Sequence, residues 1–278
     1  MAIAIRPLGE HVGAEATGVD VRTIGPAETE RLLDALTRHG VLVLRDQTMT
    51  PDDLVAFGRR FGPVEYGVRE DYQLPENKDV YVISNIVENG RPLGNPNDGF
   101  AWHTDLSFLE HPTAYTFLYA IECPPEGAQT EFASAFRTYD ALDAQERARL
   151  DAMRVLHSYD MLHKTRKWAA PLSEDQKAKF PDVVHPMVRT HPVTGRKSVY
   201  LGPNTSLPIG MGEAEGAALI AELMDRTTDP RHVHAHDWRP GDLVVWDNRG
   251  MVHRATEYDK ARYRRLMHRV TVRGERPF

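Results

Sequence analysis

Apolar residues recur along the chain in two periods, and the change from one to the other marks out its elements. Residues 3–25 alternate apolar and polar positions and are punctuated by Gly9, Gly13 and Gly18, which predicts a short strand or two joined by turns. From Pro26 the period lengthens. Leu32, Leu33 and Leu36 form the stripe of a helix that Pro26 starts and Gly40 ends in a left-handed conformation. Val41–Leu44 is an unbroken apolar run, the mark of a buried strand. Thr50, Pro51 and Asp52-Asp53 then supply an N-cap, a proline for the first helical position and acids for the first turn. Leu54, Phe57 and Phe61 give this second helix its buried face up to Gly62.

The rest of the chain is richer in strands. Residues 79–84 and 112–122 predict two long ones, and the Asn-, Pro- and Gly-rich stretch 88–99 between them predicts a mobile loop leading into His103. Pro124-Pro125-Glu126-Gly127 turns the chain into an extended segment at 129–132. A third helix is expected over about 138–156, with Tyr139, Leu142, Leu150 and Met153 on one side. Residues 157–182, which carry Lys164, Arg166, Lys167 and Trp168, predict an irregular insertion able to cover a site. A β-hairpin is expected between 183–190 and 197–201 through 191–196, then a fourth helix over about 213–226 with Ile220, Leu223 and Met224 inward. Strands follow near 233–238, 242–247, 250–256 and 265–273. Many short strands with helices mainly before and between them predict an all-β core with helical additions (α+β), arranged as a double-sheet jelly roll. Sandwiches and barrels of this length often form one domain, so residues 1–278 are expected to be a single one.

Composition narrows the partners. A net charge of −6 leaves no electrostatic footprint for nucleic acid. Cys123 is the only cysteine, and no apolar run approaches the length that spans a bilayer, so a cytoplasmic protein is expected. The chemistry concentrates elsewhere. In Phe100-Ala101-Trp102-His103-Thr104-Asp105, read as an extended strand, His103 and Asp105 point to one face and can aim a nitrogen and a carboxylate oxygen at one point. Such a pair needs a third ligand. The best candidate is His253, which follows the apolar strand and turn containing Trp246-Asp247-Asn248-Arg249. Two histidines and one carboxylate form the facial triad of non-haem Fe(II) oxygenases, which leaves positions open for a cosubstrate and O₂.

Thirteen histidines also make decoys. His232, His234 and His236 would share one face of a strand, but the intervening Val233 and Ala235 are the residues expected to be buried, which puts the imidazoles on the wet face. His111, His185 and His191 sit beside prolines and are read as structural or exposed. Near the end, Arg262, Arg264, Arg265, His268, Arg269 and Arg273 crowd together. Such a run often solvates a sheet edge. Yet Arg265, Met267 and Arg269 alternate onto one face, so two guanidiniums, the preferred partners of carboxylates, can point inward together. That arrangement suits two carboxylate-bearing small molecules beside a metal.

The Trp-His-Thr-Asp run, the Trp-Asp-Asn-Arg run with His253 after it, and Arg264-Arg265-Leu266-Met267-His268-Arg269 together resemble the TauD/TfdA family of Fe(II)/2-oxoglutarate-dependent dioxygenases. The likeness extends over nearly the whole chain. It implies that His103, Asp105 and His253 are the iron ligands, that Thr130 and Arg265 hold the distal carboxylate of 2-oxoglutarate, and that Arg269 meets the anionic group of the primary substrate. Taurine-type members have a histidine where this chain aligns Leu74, which points away from taurine and toward an apolar contact at Leu74. Ser84-Asn85-Ile86-Val87-Glu88-Asn89-Gly90 is similar to members acting on phenoxyalkanoates such as 2,4-dichlorophenoxyacetate. The implied reaction consumes O₂, converts 2-oxoglutarate to succinate and CO₂, hydroxylates a small organic acid and cleaves it where the carbon bears an ether oxygen. A homo-oligomer with no nucleic-acid or membrane partner is expected. Sulfonate or alkyl sulfate oxidation, a zinc hydrolase on the same three ligands, and a non-catalytic binding jelly roll are the competing readings.

Overall fold

The structure is a computed structural model that describes residues 3–65, 70–165, 171–202 and 206–278. Its frame is a large sheet whose strands run in the order Ala4–Pro7, Ala14–Thr17, Val41–Leu44, Leu243–Asp247, Thr113–Glu122, Leu266–Arg273, Asn77–Ser84 and Gln73–Leu74, with Val64–Glu65 also on Leu266–Arg273. All these pairings are antiparallel except Ala14–Thr17 on Val41–Leu44. Strand alternation gives the sheet two different faces. Tyr115, Phe117, Tyr119, Leu243, Val245, Val270 and Val272 point to one side and meet Leu32 and Leu36 of the helix Pro26–His39 and Leu54 and Phe57 of the helix Pro51–Gly58. Leu118, Ala120, Val244, Trp246, Tyr81 and Met267 point to the other.

That second face is covered by a three-stranded sheet, His234–His236, Thr130–Ser134 and Met251–Ala255. Phe132 from it packs against Trp246 of the large sheet with ring centroids 5.4 Å apart. Two sheets facing across an apolar layer, with helices on the outer side of one, make a β-rich mixed architecture.

Both N-terminal helices start as their sequences predict. Thr50 accepts from the Asp53 N–H, and Asp53 accepts from the Thr50 N–H at 2.8 Å, a capping box. Gly40 ends the first helix at φ 72°. The second helix stops at Gly58, one turn early, and Phe61 packs edge-on against Phe57 and Phe117 from the turn beyond it.

Four segments differ from their expectation. The third helix divides into Ala135–Asp140 and Ala144–Asp151, because Asp143 and Glu146 form a new capping box, and Arg154–His157 is a strand. Stretch 88–99 is tied down: Val87–Glu88 and Arg91–Pro92 form a hairpin over Asn89 and Gly90, both at positive φ, and Asn95 pairs with Val82 and Ser84 on the sheet. The 183–190 strand breaks at Met187. Val183–Pro186 joins Arg154–His157 and Ser206–Pro208 in a sheet of their own, and only Val188–Thr190 forms the hairpin with Lys197–Val199. The insertion at 157–182 holds two short helices, Tyr159–Lys164 and Glu174–Lys179; Arg166, Lys167 and Trp168 lie outside the described residues.

The small sheet of Arg154–His157 and Val183–Pro186 buries two imidazoles whose rings lie 5.1 Å apart. Burial, helped by the Arg189 guanidinium, pushes His157 down to about 3 and His185 to about 4 from an ordinary 6.5. Both rings are therefore neutral in the fold. The unfolded chain takes up protons below pH 6.5 where the fold does not, so acid favours unfolding through these groups. Stability is expected to drop as pH falls from 6.5 toward 4, read as a lower urea midpoint at pH 5 than at pH 7. His157→Gln is expected to shrink that difference, and equal midpoints at both pH values would contradict the assignment.

Candidate metal centre

Residues 100–108 do not form a strand, so alternation is not what aligns His103 with Asp105. His103 makes an isolated bridge with His253 instead: each N–H donates to the other residue's carbonyl, at 3.0 and 2.8 Å. The chain then turns, and Leu106 takes a left-handed φ of 52°. Asp105 is placed by its backbone N–H, which donates to Asn248 Oδ1 at 3.1 Å, while the Thr104 hydroxyl donates to the Asn248 carbonyl at 2.9 Å. His253 stands in the middle of Met251–Ala255, its ring 4.6 Å from that of Trp246.

These placements bring three ligand atoms of His103, Asp105 and His253 within 4.8 Å of one another. His103 Nε2 lies 3.8 Å from Asp105 Oδ1, and His253 Nε2 lies 3.7 Å from Asp105 Oδ2. His103 Nδ1 donates to the Ala101 carbonyl at 2.7 Å, which leaves the lone pair on Nε2, facing the carboxylate. Burial alone would raise the Asp105 pKa, but His253, Arg269, His103 and the Thr116 hydroxyl outweigh it and hold the carboxyl at about 2. Burial and the neighbouring His103 push His253 down to about 3, so its imidazole is neutral and able to bind a metal. The neutral His253 imidazole, the lone pair of His103 Nε2 and an ionised carboxylate on one side of an apolar layer fit a divalent ion such as Fe(II) or Mn(II).

A cleft beside these residues is lined by Thr130, Arg265, Arg269, Asp98, Ile83, Leu118 and Trp246. Arg265 and Arg269 do share the inner face, as the alternation predicts. Arg265 is only 6% exposed, and no carboxylate of the described residues forms an ion pair with it; its backbone N–H is held by Asn85 Oδ1, while its Nε is buried without a partner. Burial lowers its pKa, with Tyr258, Cys123 and Asp98 opposing only in part. Arg269 is different: its Nη1 lies 3.3 Å from Asp98 Oδ2 and 3.8 Å from Asp105 Oδ1. Thr130 Oγ1 accepts from Trp238 Nε1 at 3.0 Å.

Leu74 is elsewhere. It packs, half-buried, with the apolar layer under the helices, while its neighbour Tyr72 packs with Tyr81 on the cleft side. The irregular pairing of Gln73–Leu74 with Asn77–Ser84 sets this orientation. The histidine run also reverses expectation. His232 lies in the short 3₁₀ helix Pro230–His232, Ala235 is exposed, and His236 is buried with Nε2 3.1 Å from Asp242 Oδ2. His185 and His191 are buried and structural, His191 against Asp247 at 3.0 Å, and His111 is exposed. Sequence reasoning missed Asp98, Thr116 and Asn248. Thr116 was legible in principle, since it shares strand parity with Leu118; Asp98 and Asn248 lie in loops that carry no period.

Asp105→Ala is expected to abolish stoichiometric Mn(II) binding, followed by the paramagnetic resonance of the free ion, whereas His236→Gln is expected to retain it. Tight binding by Asp105→Ala would move the metal elsewhere.

Comparison with known proteins agrees with this geometry. A sequence model of the taurine catabolism dioxygenase TauD, TfdA family matches residues 4–271. The chain is 34% identical to an alpha-ketoglutarate-dependent 2,4-dichlorophenoxyacetate dioxygenase of Cupriavidus pinatubonensis over 98% of both sequences. It is 32% identical to an (S)-phenoxypropionate/alpha-ketoglutarate dioxygenase of Sphingobium herbicidovorans, covering 96% of this chain and 94% of that one. Among solved structures it is similar to AAD-2 in complex with Mn(II) and N-oxalylglycine, with a TM-score of 0.85, 32% identity, and 100% and 99% of the two chains covered. A donor set able to hold a metal, beside a buried guanidinium that lacks a carboxylate partner among the described residues, on a chain matched over nearly its whole length, places this protein in the TauD/TfdA family of Fe(II)- and 2-oxoglutarate-dependent dioxygenases.

Proposed function

We propose that His103, Asp105 and His253 hold the iron, that Arg265 and Thr130 hold the distal carboxylate of 2-oxoglutarate, and that Arg269 receives the carboxylate of a phenoxyalkanoate-like acid. The observation that carries this reading is Arg265, a buried cation with no carboxylate partner among the described residues. Such a charge is costly unless an anion completes it. Thr130 suits the same anion, because its oxygen already accepts from Trp238 Nε1 and its own proton is left for a carboxylate.

Bound together, iron and 2-oxoglutarate use O₂ to release succinate and CO₂ and to convert a substrate C–H to C–OH. The chain's part is to position the substrate. Ile83, Leu118 and Trp246 offer an apolar wall for an aromatic body, and Arg269 offers a bidentate partner for a carboxylate. Asp98 faces the same guanidinium, so an incoming carboxylate competes with it. With the carboxylate on Arg269, the carbon next to it, which bears the ether oxygen of a phenoxyalkanoate, is the atom presented for attack. Its hydroxylation gives a hemiacetal or hemiketal that collapses to a phenol and a keto or aldehyde acid. The relatives named for 2,4-dichlorophenoxyacetate and phenoxypropionate support this substrate class. Leu74, away from the cleft, does not bear on it. In the same reading the two facing sheets form a double-stranded β-helix, the chain is one domain and works as a homo-oligomer, and a reducing cytosol suits both Fe(II) and the free Cys123.

Loss of a charge-assisted partner in a desolvated site costs on the order of 2–5 kcal/mol. Arg265→Ala is therefore expected to raise the half-saturating 2-oxoglutarate concentration by at least about tenfold in succinate-release assays. An unchanged requirement would move the anchor to another cation. Arg269→Met is expected to weaken a phenoxyacetate-like acid while leaving substrate-free 2-oxoglutarate turnover in place. Full affinity in that variant, or taurine as the best substrate of a panel of acids, sulfonates and alkyl sulfates, would refute the substrate assignment.

A further inference from the structure

Each imidazole approaches a different oxygen of Asp105, at 3.8 Å for His103 to Oδ1 and 3.7 Å for His253 to Oδ2. The histidines therefore do not choose which oxygen serves a metal. A chain of hydrogen bonds behind the carboxylate does. Asn248 Oδ1 accepts from two groups that only donate, the Asp105 backbone N–H at 3.1 Å and Trp246 Nε1 at 3.2 Å, which fixes the amide's orientation. Its Nδ2 then faces Thr116 Oγ1 at 2.9 Å and must donate to it. The Thr116 oxygen is thereby an acceptor toward Asn248, and its proton goes to Asp105 Oδ2 at 2.6 Å. The backbone holds both residues in turn: Asn248 N–H donates to the Ala114 carbonyl at 2.8 Å, and Thr116 is in register with Trp246. Asn248 and Thr116 are both almost fully buried, so water does not compete for these bonds. On the other side, Arg269 Nη1 lies 3.8 Å from Oδ1, beyond hydrogen-bond reach, and among the described residues no donor is bonded to that oxygen.

We infer that Thr116 and Asn248 are positioning residues that reserve Asp105 Oδ2 for a hydrogen bond and so make Asp105 a one-oxygen metal ligand through Oδ1. The inference rests on Asp105 being a metal ligand. In a six-coordinate centre, two imidazoles and one carboxylate oxygen leave room for a cosubstrate that chelates through two atoms and for O₂. A carboxylate that bound through both oxygens would take one of those places. The direction of the chain matters as much as its presence. Replacing the amide of Asn248 by a carboxylate keeps the acceptor for Asp105 N–H and Trp246 but removes the donor to Thr116. The threonine proton then turns toward the new carboxylate, and Oδ2 is released.

The test uses the Co(II)-substituted protein, whose visible absorption responds to the donor set around the metal, and calorimetric binding of 2-oxoglutarate to it. Thr116→Val and Asn248→Asp are both expected to shift the visible bands and to lower 2-oxoglutarate affinity by about 10–100-fold, the range seen when a ligand's supporting hydrogen bond is lost. Thr116→Ser, which keeps the hydroxyl, is expected to restore both readouts. Wild-type bands and affinity in Thr116→Val and Asn248→Asp would overturn the inference, as would failure of Thr116→Ser to restore them while its thermal midpoint matches wild type. If Asp105→Ala itself binds Co(II) with wild-type bands, the metal-site reading has failed instead, and the two failures are separate outcomes.

Discussion

A carboxylate placed almost wholly out of water must be met by donors or positive charge, and the centre of this molecule is built around that requirement at Asp105. Its surroundings are drawn from four parts of the chain: His103 beside it, Thr116 on the central strand, His253 after the Trp-Asp-Asn-Arg turn, and Arg269 on the last long strand. Thr116, His253 and Arg269 sit where they do because of sheet register, and His103 because of its bridge to His253. Shifting Thr113–Glu122 by one residue would turn Thr116 to the helix side and bring an aromatic ring against the carboxylate. The packing of the whole large sheet is thus coupled to one ionised group.

The two faces of that sheet do separate work. The helix-covered face is mostly apolar and supplies burial. The inner face trades some apolar area for polar residues at Thr116, Arg265 and Arg269, and it compensates by covering them with Phe132, Trp246 and the three-stranded sheet. Excluding water here raises the strength of every charge interaction in the cleft. Arg265 stands among these polar residues as a buried guanidinium with no carboxylate partner among the described residues.

Much of the scaffold was legible from periodicity alone. The helices at 26–39 and 213–227 and the strands at 41–44, 77–84, 113–122 and 243–247 come from runs long enough for one period to dominate. The misses share a cause. Asp143 restarts a helix by a local cap, Asn89-Gly90 closes a hairpin inside a stretch too polar to read as strand, and Met187 hands one run of apolar residues to two different sheets. In the site, His103, Asp105 and His253 do meet, but not for the local reason that their spacing suggests, since a bridge and a turn, not a strand, bring them together. Leu74 lies away from the cleft because an alignment position does not say which way an irregularly paired residue faces.

The reciprocal backbone bonds between His103 and His253 have a bearing on divergence within such a scaffold. Two imidazoles separated by most of the chain are held by a single short bridge, so the distance between them does not depend on the length of what intervenes. Segments between them can lengthen, shorten or be replaced without disturbing that contact, provided Thr113–Glu122 and Thr130–Ser134 keep their places. Loop insertion and deletion are thereby free to reshape what enters the cleft. The shape of the cleft can drift while the pair of imidazoles stays fixed.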